Sequence, residues 1–115
     1  MNTVVLVDAT EEMRPLAAAL EGAGYAVASR ALADVLTGGD EETPAVLIFN
    51  LTGEAADGAA VRALLRAESM PHGIAAIALV RQGQLPGLDF SVGCDDFIVY
   101  PPAAEELAAR VRRAI

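Results

Sequence analysis

Apolar and polar positions fall into blocks along this chain, and the blocks alternate between strand-like and helix-like periods. Thr3 to Val7 is a short β-branched run that predicts strand one. Met13 to Glu21 is rich in Ala and Leu and predicts helix one, with Thr10 as its N-cap and Gly22 and Gly24 as stop signals. Pro15 sits near the helix start, where a missing N–H does least harm. Tyr25 to Ser29 predicts strand two, and Leu32 to Leu36 a short, weak helix closed by Gly38 and Gly39. Ala45 to Phe49 is an uninterrupted apolar run, the pattern of a strand buried on both faces. Asp57 to Glu68 predicts helix three, with Val61, Leu64 and Leu65 at helical spacing. Ile74 to Val80 is a fourth buried strand and Asp96 to Val99 a fifth. Pro102 to Ile115 reads as a final amphipathic helix, with Leu107, Val111 and Ile115 on one face. Between strands four and five, Gly83, Pro86 and Gly87 disfavour a long regular helix.

Strands alternating with helices imply a parallel sheet covered on both faces, an α/β architecture. The right-handed crossover rule leaves few topologies, and the flavodoxin-like, doubly wound order 2-1-3-4-5 is the natural one for five strands. At 115 residues the chain accounts for a single domain, residues 1–115. It shows no internal repeat, low-complexity tract or linker.

Composition narrows the classes of function. Aromatics are only 4% of a chain that is 54% hydrophobic, so the core is built from Val, Leu, Ile and Ala. The net charge is −8, and the eight basic residues are all Arg. A surface this acidic is not expected to bind nucleic acid directly, because phosphate neutralisation needs a basic face. No apolar run approaches the length of a membrane span, so no membrane association is expected. Met1 to Val7 leads straight into Asp8, Glu11 and Glu12, unlike a signal peptide. Asn50-Leu51-Thr52 fits the glycosylation pattern, which is set aside without a secretion signal. Cys94 stands alone, which suits a reducing cytoplasm, and it reads as a small buried apolar residue.

Function in such sheets gathers at the carboxyl ends of the strands. Those ends are Asp8-Ala9, Asn50, Val80 and Tyr100. Three motifs stand around them in order. The first runs from Asn50 through Thr52 to Asp57-Gly58, seven residues after Asn50. The second is Gly93-Cys94-Asp95-Asp96-Phe97-Ile98-Val99-Tyr100-Pro101, and the third is Glu105-Glu106-Leu107-Ala108-Ala109-Arg110-Val111-Arg112. Together they resemble the receiver domain of response regulators over essentially the whole chain. The first is similar to the acceptor loop and its Asp-Gly pair, the second to Gly-Ala-Asp-Asp-Tyr-x-x-Lys-Pro, and the third to the last helix of the winged-helix subfamily. The resemblance implies a receiver (CheY-like) fold, a shortened helix four and a cis Tyr100–Pro101 bond.

Receivers accept a phosphoryl group on an aspartate, with Mg²⁺ offsetting its charge. Measured against that pattern, only Asp8 survives. Ala9 stands for the second acid, Asn50 for the acceptor, Val80 for the hydroxyl residue after strand four and Tyr100 for the lysine after strand five. An amide does not form an acyl phosphate. The resemblance therefore implies a degenerate phosphorylation pocket of Asp8, Ala9, Asn50, Thr52, Val80 and Tyr100, with no catalytic residue, resident metal or cofactor. Structural roles are available to the same residues: Asp8 accepting backbone hydrogen bonds at the start of helix one, Asn50 satisfying loop N–H groups, and Tyr100 packing with a wet hydroxyl. His72 reads as a loop residue and Glu41-Glu42 as a solvated turn.

The expected function is a non-enzymatic signalling module, similar to orphan, phosphorylation-independent regulators of the nitrogen-regulator type. Such a module dimerises and sets the geometry of a DNA-binding effector, either C-terminal or on a separate chain. The implied homodimer uses the face of helix four, strand five and helix five. Asp95, Asp96, Glu106, Arg110 and Arg112 form its ion pairs, Asp96 with Arg110 foremost, around apolar Leu88, Phe90 and Val92. One alternative is a ligand-sensing pseudo-receiver holding a small metabolite in the vacated pocket. Another is phosphorylation at an atypical residue such as Asp57.

Overall fold

The computed structural model describes residues 2–35, 44–53, 74–87 and 94–115. Five strands run in parallel: β1 (Thr3–Val7), β2 (Ala26–Arg30), β3 (Val46–Asn50), β4 (Ala75–Arg81) and β5 (Asp96–Tyr100). Their order is β2-β1-β3-β4-β5, the doubly wound order expected from the sequence. Strand β1 is met in full by the sequence reading. The other four each run one residue further than hydropathy marks, to Arg30, Asn50, Arg81 and Tyr100. The ladder explains the extension: Val7 is in register with Arg30, Asn50 with Leu79 and Arg81 with Tyr100. A strand ends where pairing ends, and a polar residue at the rim still donates and accepts in the ladder.

Two helices, α1 (Arg14–Gly22) and α2 (Ala104–Ala114), cover one face. Leu16 and Leu20 of α1, with Leu107 and Val111 of α2, pack on Val4, Leu6, Val46, Ile48, Ile77, Leu79 and Ile98. On the opposite face Val5, Val7, Leu47, Phe49 and Ala76 meet Leu32, Val35, Leu51, Ile74 and Cys94. Period-2 alternation along strands with apolar residues on both faces produces this division. The expected helix over Asp57 to Glu68 lies outside the described residues.

Local departures have local causes. Thr10 makes no side-chain cap; it precedes a 3-10 turn, Glu11–Met13, that leads into α1. Where a short helix is expected over Leu32 to Leu36, the described residues form a 3-10 turn, Leu32–Asp34, and Leu36 lies outside them. The segment after β4 begins as a 3-10 turn, Gln82–Gly87, where Gly83 and Pro86 oppose a regular helix. Ile115 lies beyond the last turn of α2 and is 52% exposed, so the apolar face of that helix ends at Ala114, which packs half-buried against the core. The Tyr100–Pro101 peptide is cis, as the resemblance implied. Among the described residues no helix is long and apolar enough to cross a membrane.

Candidate functional site at the carboxyl ends of the strands

The chain leaves β1 toward β2 on one side and reaches β3 on the other. The crevice between the exits of β1 and β3 is therefore the switch point at which such sheets place their sites. A hydrogen bond spans that crevice: Asn50 Nδ2 donates to the Asp8 carbonyl at 2.9 Å. The other end of the same amide is also engaged. Asn50 Oδ1 accepts from the Thr52 N–H at 3.1 Å and from Thr52 Oγ1 at 2.6 Å. Thr52 is buried, so its hydroxyl depends on that acceptor.

Asp8 adopts a left-handed backbone, φ 57°, a conformation Asp tolerates better than most residues. Its N–H donates to the Arg30 carbonyl at 2.8 Å, and its Oδ1 accepts from the Leu32 N–H at 2.9 Å. The carboxylate thus caps the segment after β2 and not the start of helix one. Ala9 packs, half-buried, against the core beneath α1 and α2.

Val80 and Tyr100 separate. Tyr100 packs on the α1/α2 face and its hydroxyl donates to the Glu12 carbonyl at 3.1 Å. Val80 is fully buried, and alternation from Leu79 turns it to the opposite face. The residue that shares a side with Asn50 and Tyr100 is Arg81. Its Nε donates to the Thr52 carbonyl at 3.3 Å and its guanidinium pairs with Glu12 Oε1 at 3.2 Å. The guanidinium also lies 5.5 Å from the centre of the Tyr100 ring, within cation–π range. The Arg81 N–H donates to Gln84 Oε1, and Gln84 Nε2 donates to the Leu51 carbonyl at 2.7 Å. Glu12, Arg81 and Gln84 were not anticipated. Extending the alternation Ile77, Leu79 by one step would have put residue 81 on the site's side.

Asp8, Asn50, Thr52 and Tyr100 therefore come together in one hydrogen-bonded assembly, and Val80 does not join it. Within the described residues no group of three or more His, Cys, Asp or Glu side chains is placed to hold a metal ion. Between the described exits of β3 and β5 a positive charge is covalently attached, the Arg81 guanidinium.

The second group of expected residues lies on β5 and α2. Arg110 Nη1 reaches both oxygens of Asp96, at 3.0 and 3.1 Å, and Nε reaches Glu106 Oε1 at 3.3 Å. Its guanidinium stands 5.8 Å from the Phe97 ring centre. Partial burial pulls the Arg110 pKa down, but the Asp96 carboxylate and then Glu106 outweigh it and raise the group above its ordinary value. The Asp96–Arg110 pair expected between subunits is thus closed within one chain. Asp95 Oδ2 accepts from the Ala76 N–H at 2.8 Å, which fastens the entry of β5 to β4. Arg112 is exposed on the last turn of α2. Leu88, Phe90 and Val92 lie outside the described residues.

No family model matches the chain, and no curated protein does. Solved structures do. The chemotaxis response regulator CheY4 of Vibrio cholerae superposes with a TM-score of 0.80 at 22% identity, covering 100% of this chain and 99% of that one. The receiver domain of NtrX from Brucella abortus gives a TM-score of 0.78 at 15% identity, with 98% and 97% covered. In a longer NtrX structure the match takes up 27% of the chain. A receiver-modulated diguanylate cyclase structure from Pelobacter carbinolicus matches with a TM-score of 0.75 at 19% identity, covering 99% and 92%. The fold is that of a response-regulator receiver domain.

Proposed function

We propose that this chain is a receiver-type signalling module that works without phosphoryl transfer and has no catalytic activity of its own. The observation that carries the reading is the amide of Asn50. It stands at the exit of β3, at the switch point, with its donor committed to Asp8 and its acceptor to Thr52. An amide offers no carboxylate to form an acyl phosphate, and this one is already bonded at both ends. The same bonds weigh against the ligand-sensing alternative, because the side chains that would line a vacated pocket hold one another.

In this reading the output is assembly. The module forms a two-fold dimer through β5 and α2 and positions an effector in the cytoplasm. Because Arg110 is satisfied within its own chain, a cross-subunit contact would share that pair rather than create it. Exposed and half-exposed pairs contribute only about 0–1 kcal/mol each, so the pairs set register and apolar contact sets affinity.

The test treats the wild-type chain with acetyl phosphate and Mg²⁺ and reads intact mass. No added phosphoryl mass is expected, and a stoichiometric adduct would overturn the reading. Sedimentation at about 100 μM is expected to give a dimer under mass action. A monomer there would remove the proposed output while leaving the phosphorylation result intact.

A further inference from the structure

The carboxyl ends of four strands are joined by one side chain. Arg81 ends β4, between β3 and β5 in the sheet. Its guanidinium reaches the Thr52 carbonyl beyond β3, the Glu12 carboxylate in the turn after β1 and the face of Tyr100 at the end of β5. These partners lie 29 and 69 residues away for the two hydrogen bonds, so they fix tertiary and not local structure. Three further hydrogen bonds close the ring. Gln84 links the Arg81 N–H to the Leu51 carbonyl, and the Tyr100 hydroxyl holds the Glu12 carbonyl from the other side. The turn so held, Glu11–Met13, carries Met13 into the core and leads into α1.

We propose that Arg81 is a latch: a tethered cation that holds the exits of β1, β3, β4 and β5 in one arrangement without a bound ion or a phosphoryl group. The inference deepens the proposed function and takes its signalling meaning from it. The latch itself stands on the Arg81 contacts. Geometry as well as charge is required, because Nε and Nη2 serve different partners in a planar fork. A lysine ammonium in the same place is a point charge and cannot span both. The ion pair with Glu12 is about half-exposed on each side, so it is the element that opens first. Opening frees the turn before α1 while the ladder below stays paired.

Amide hydrogen exchange on the full chain, read by NMR, tests this. In Arg81→Ala the Thr52 and Met13 amides are expected to exchange about tenfold faster than in wild type. The Ala45 and Asp95 amides, bonded to Thr3 and Ala76 at the opposite end of the strands, are expected to keep their rates. Glu12→Gln is expected to accelerate Met13 alone, and Arg81→Lys to accelerate Thr52 nearly as much as alanine does. Unchanged Thr52 and Met13 rates in Arg81→Ala would overturn the latch. So would equal acceleration at Ala45 and Asp95, which marks general loss of stability. Should Arg81→Ala fail to fold, an unchanged Met13 rate in Glu12→Gln overturns it equally. Phosphoryl labelling of the wild type would overturn the proposed function and leave these rates untouched, so the two failures are told apart.

Discussion

At the carboxyl end of the sheet side chains add to the main-chain ties from Asp8 N–H to the Arg30 carbonyl and from Leu51 N–H to the Leu79 carbonyl, and at the amino end neighbouring segments are tied mostly by the main chain. Asp8, Asn50, Arg81, Gln84 and Tyr100 each use a side-chain atom to hold a neighbouring exit. At the amino end Ala26 N–H donates to Asn2, Ala45 to Thr3, Ala75 to Ala45 and Asp95 to Ala76, all carbonyls. Asp95 Oδ2 on the Ala76 N–H is the side-chain contribution there. A main-chain tie survives almost any substitution, whereas a side-chain tie is lost with one atom. The carboxyl end is therefore where sequence change alters local order, and the amino end is where it alters little. The crossing of the chain at the switch point concentrates that sensitivity between β1 and β3.

The largest effect is expected from Asn50→Asp, which exchanges the one donor that crosses the crevice for a second acceptor. A carboxylate oxygen would then face the Asp8 carbonyl where Nδ2 now donates. Losing this exposed bond and setting a carboxylate against the carbonyl is expected to cost about 1.5 kcal/mol, measured by urea unfolding near neutral pH. The deficit is expected to shrink as pH falls through the carboxylate range, because a protonated carboxyl can donate again. A variant as stable as wild type at neutral pH would show that the crevice bond contributes nothing, and the contrast between the two ends would lose its strongest member.

At the amino end the corresponding probe is Gly24→Ala. The turn from α1 into β2 is closed by the main chain: Gly24 N–H donates to the Glu21 carbonyl and Tyr25 N–H to the Leu20 carbonyl, each at 3.1 Å. This is the Schellman pattern, and it requires the left-handed residue that Gly24 supplies at φ 100°. A Cβ there meets nothing within 4 Å, so the penalty is conformational alone. About 1 kcal/mol is expected from thermal or urea unfolding. Exchange rates at Thr52 relative to global stability are expected to stay unchanged. A selective loss of protection at Thr52 would mean that the two ends are coupled, contrary to the comparison.

The same contrast explains what could be read from the sequence. The strands were legible because Val46 to Phe49 and Ala76 to Val80 bury both faces and leave an unbroken apolar run. The core face of α2 was legible through Leu107 and Val111. What hydropathy does not record is where a ladder stops. Arg30, Asn50, Arg81 and Tyr100 are polar or amphipathic residues that complete their strands. Taking β4 to end at Val80 assigned that residue to the site and hid Arg81, its neighbour on the other face. Glu12 and Gln84 carry no periodic signal: the fold brings Glu12 69 residues across the chain to Arg81, and the local 3-10 turn returns Gln84 to it. Asp96 and Arg110 are expected from the sequence to pair between subunits, and their contact lies inside one chain because α2 lies against β5.

The smallest effect belongs to Cys94, which sits at the amino end beside Asp95 and packs against Leu47, Phe49 and their neighbours. Burial, and then the charge of Asp95, raises its thiol from 9.0 to about 11. Because the folded protein binds this proton more tightly than the unfolded chain, the associated stability is fully present below pH 9.0. It is lost as pH rises through about 11. The wild type is therefore expected to lose slightly more stability over that window than Cys94→Ala, measured by urea unfolding at a series of pH values. Reactivity gives the sharper reading, since the thiolate is the nucleophile. At pH 8 alkylation by iodoacetamide is expected to run on the order of tenfold to a hundredfold slower than that of a free thiol. A rate equal to that of a free thiol would place Cys94 in water. The amino end would then be open at the point where main-chain ties are taken to keep it closed.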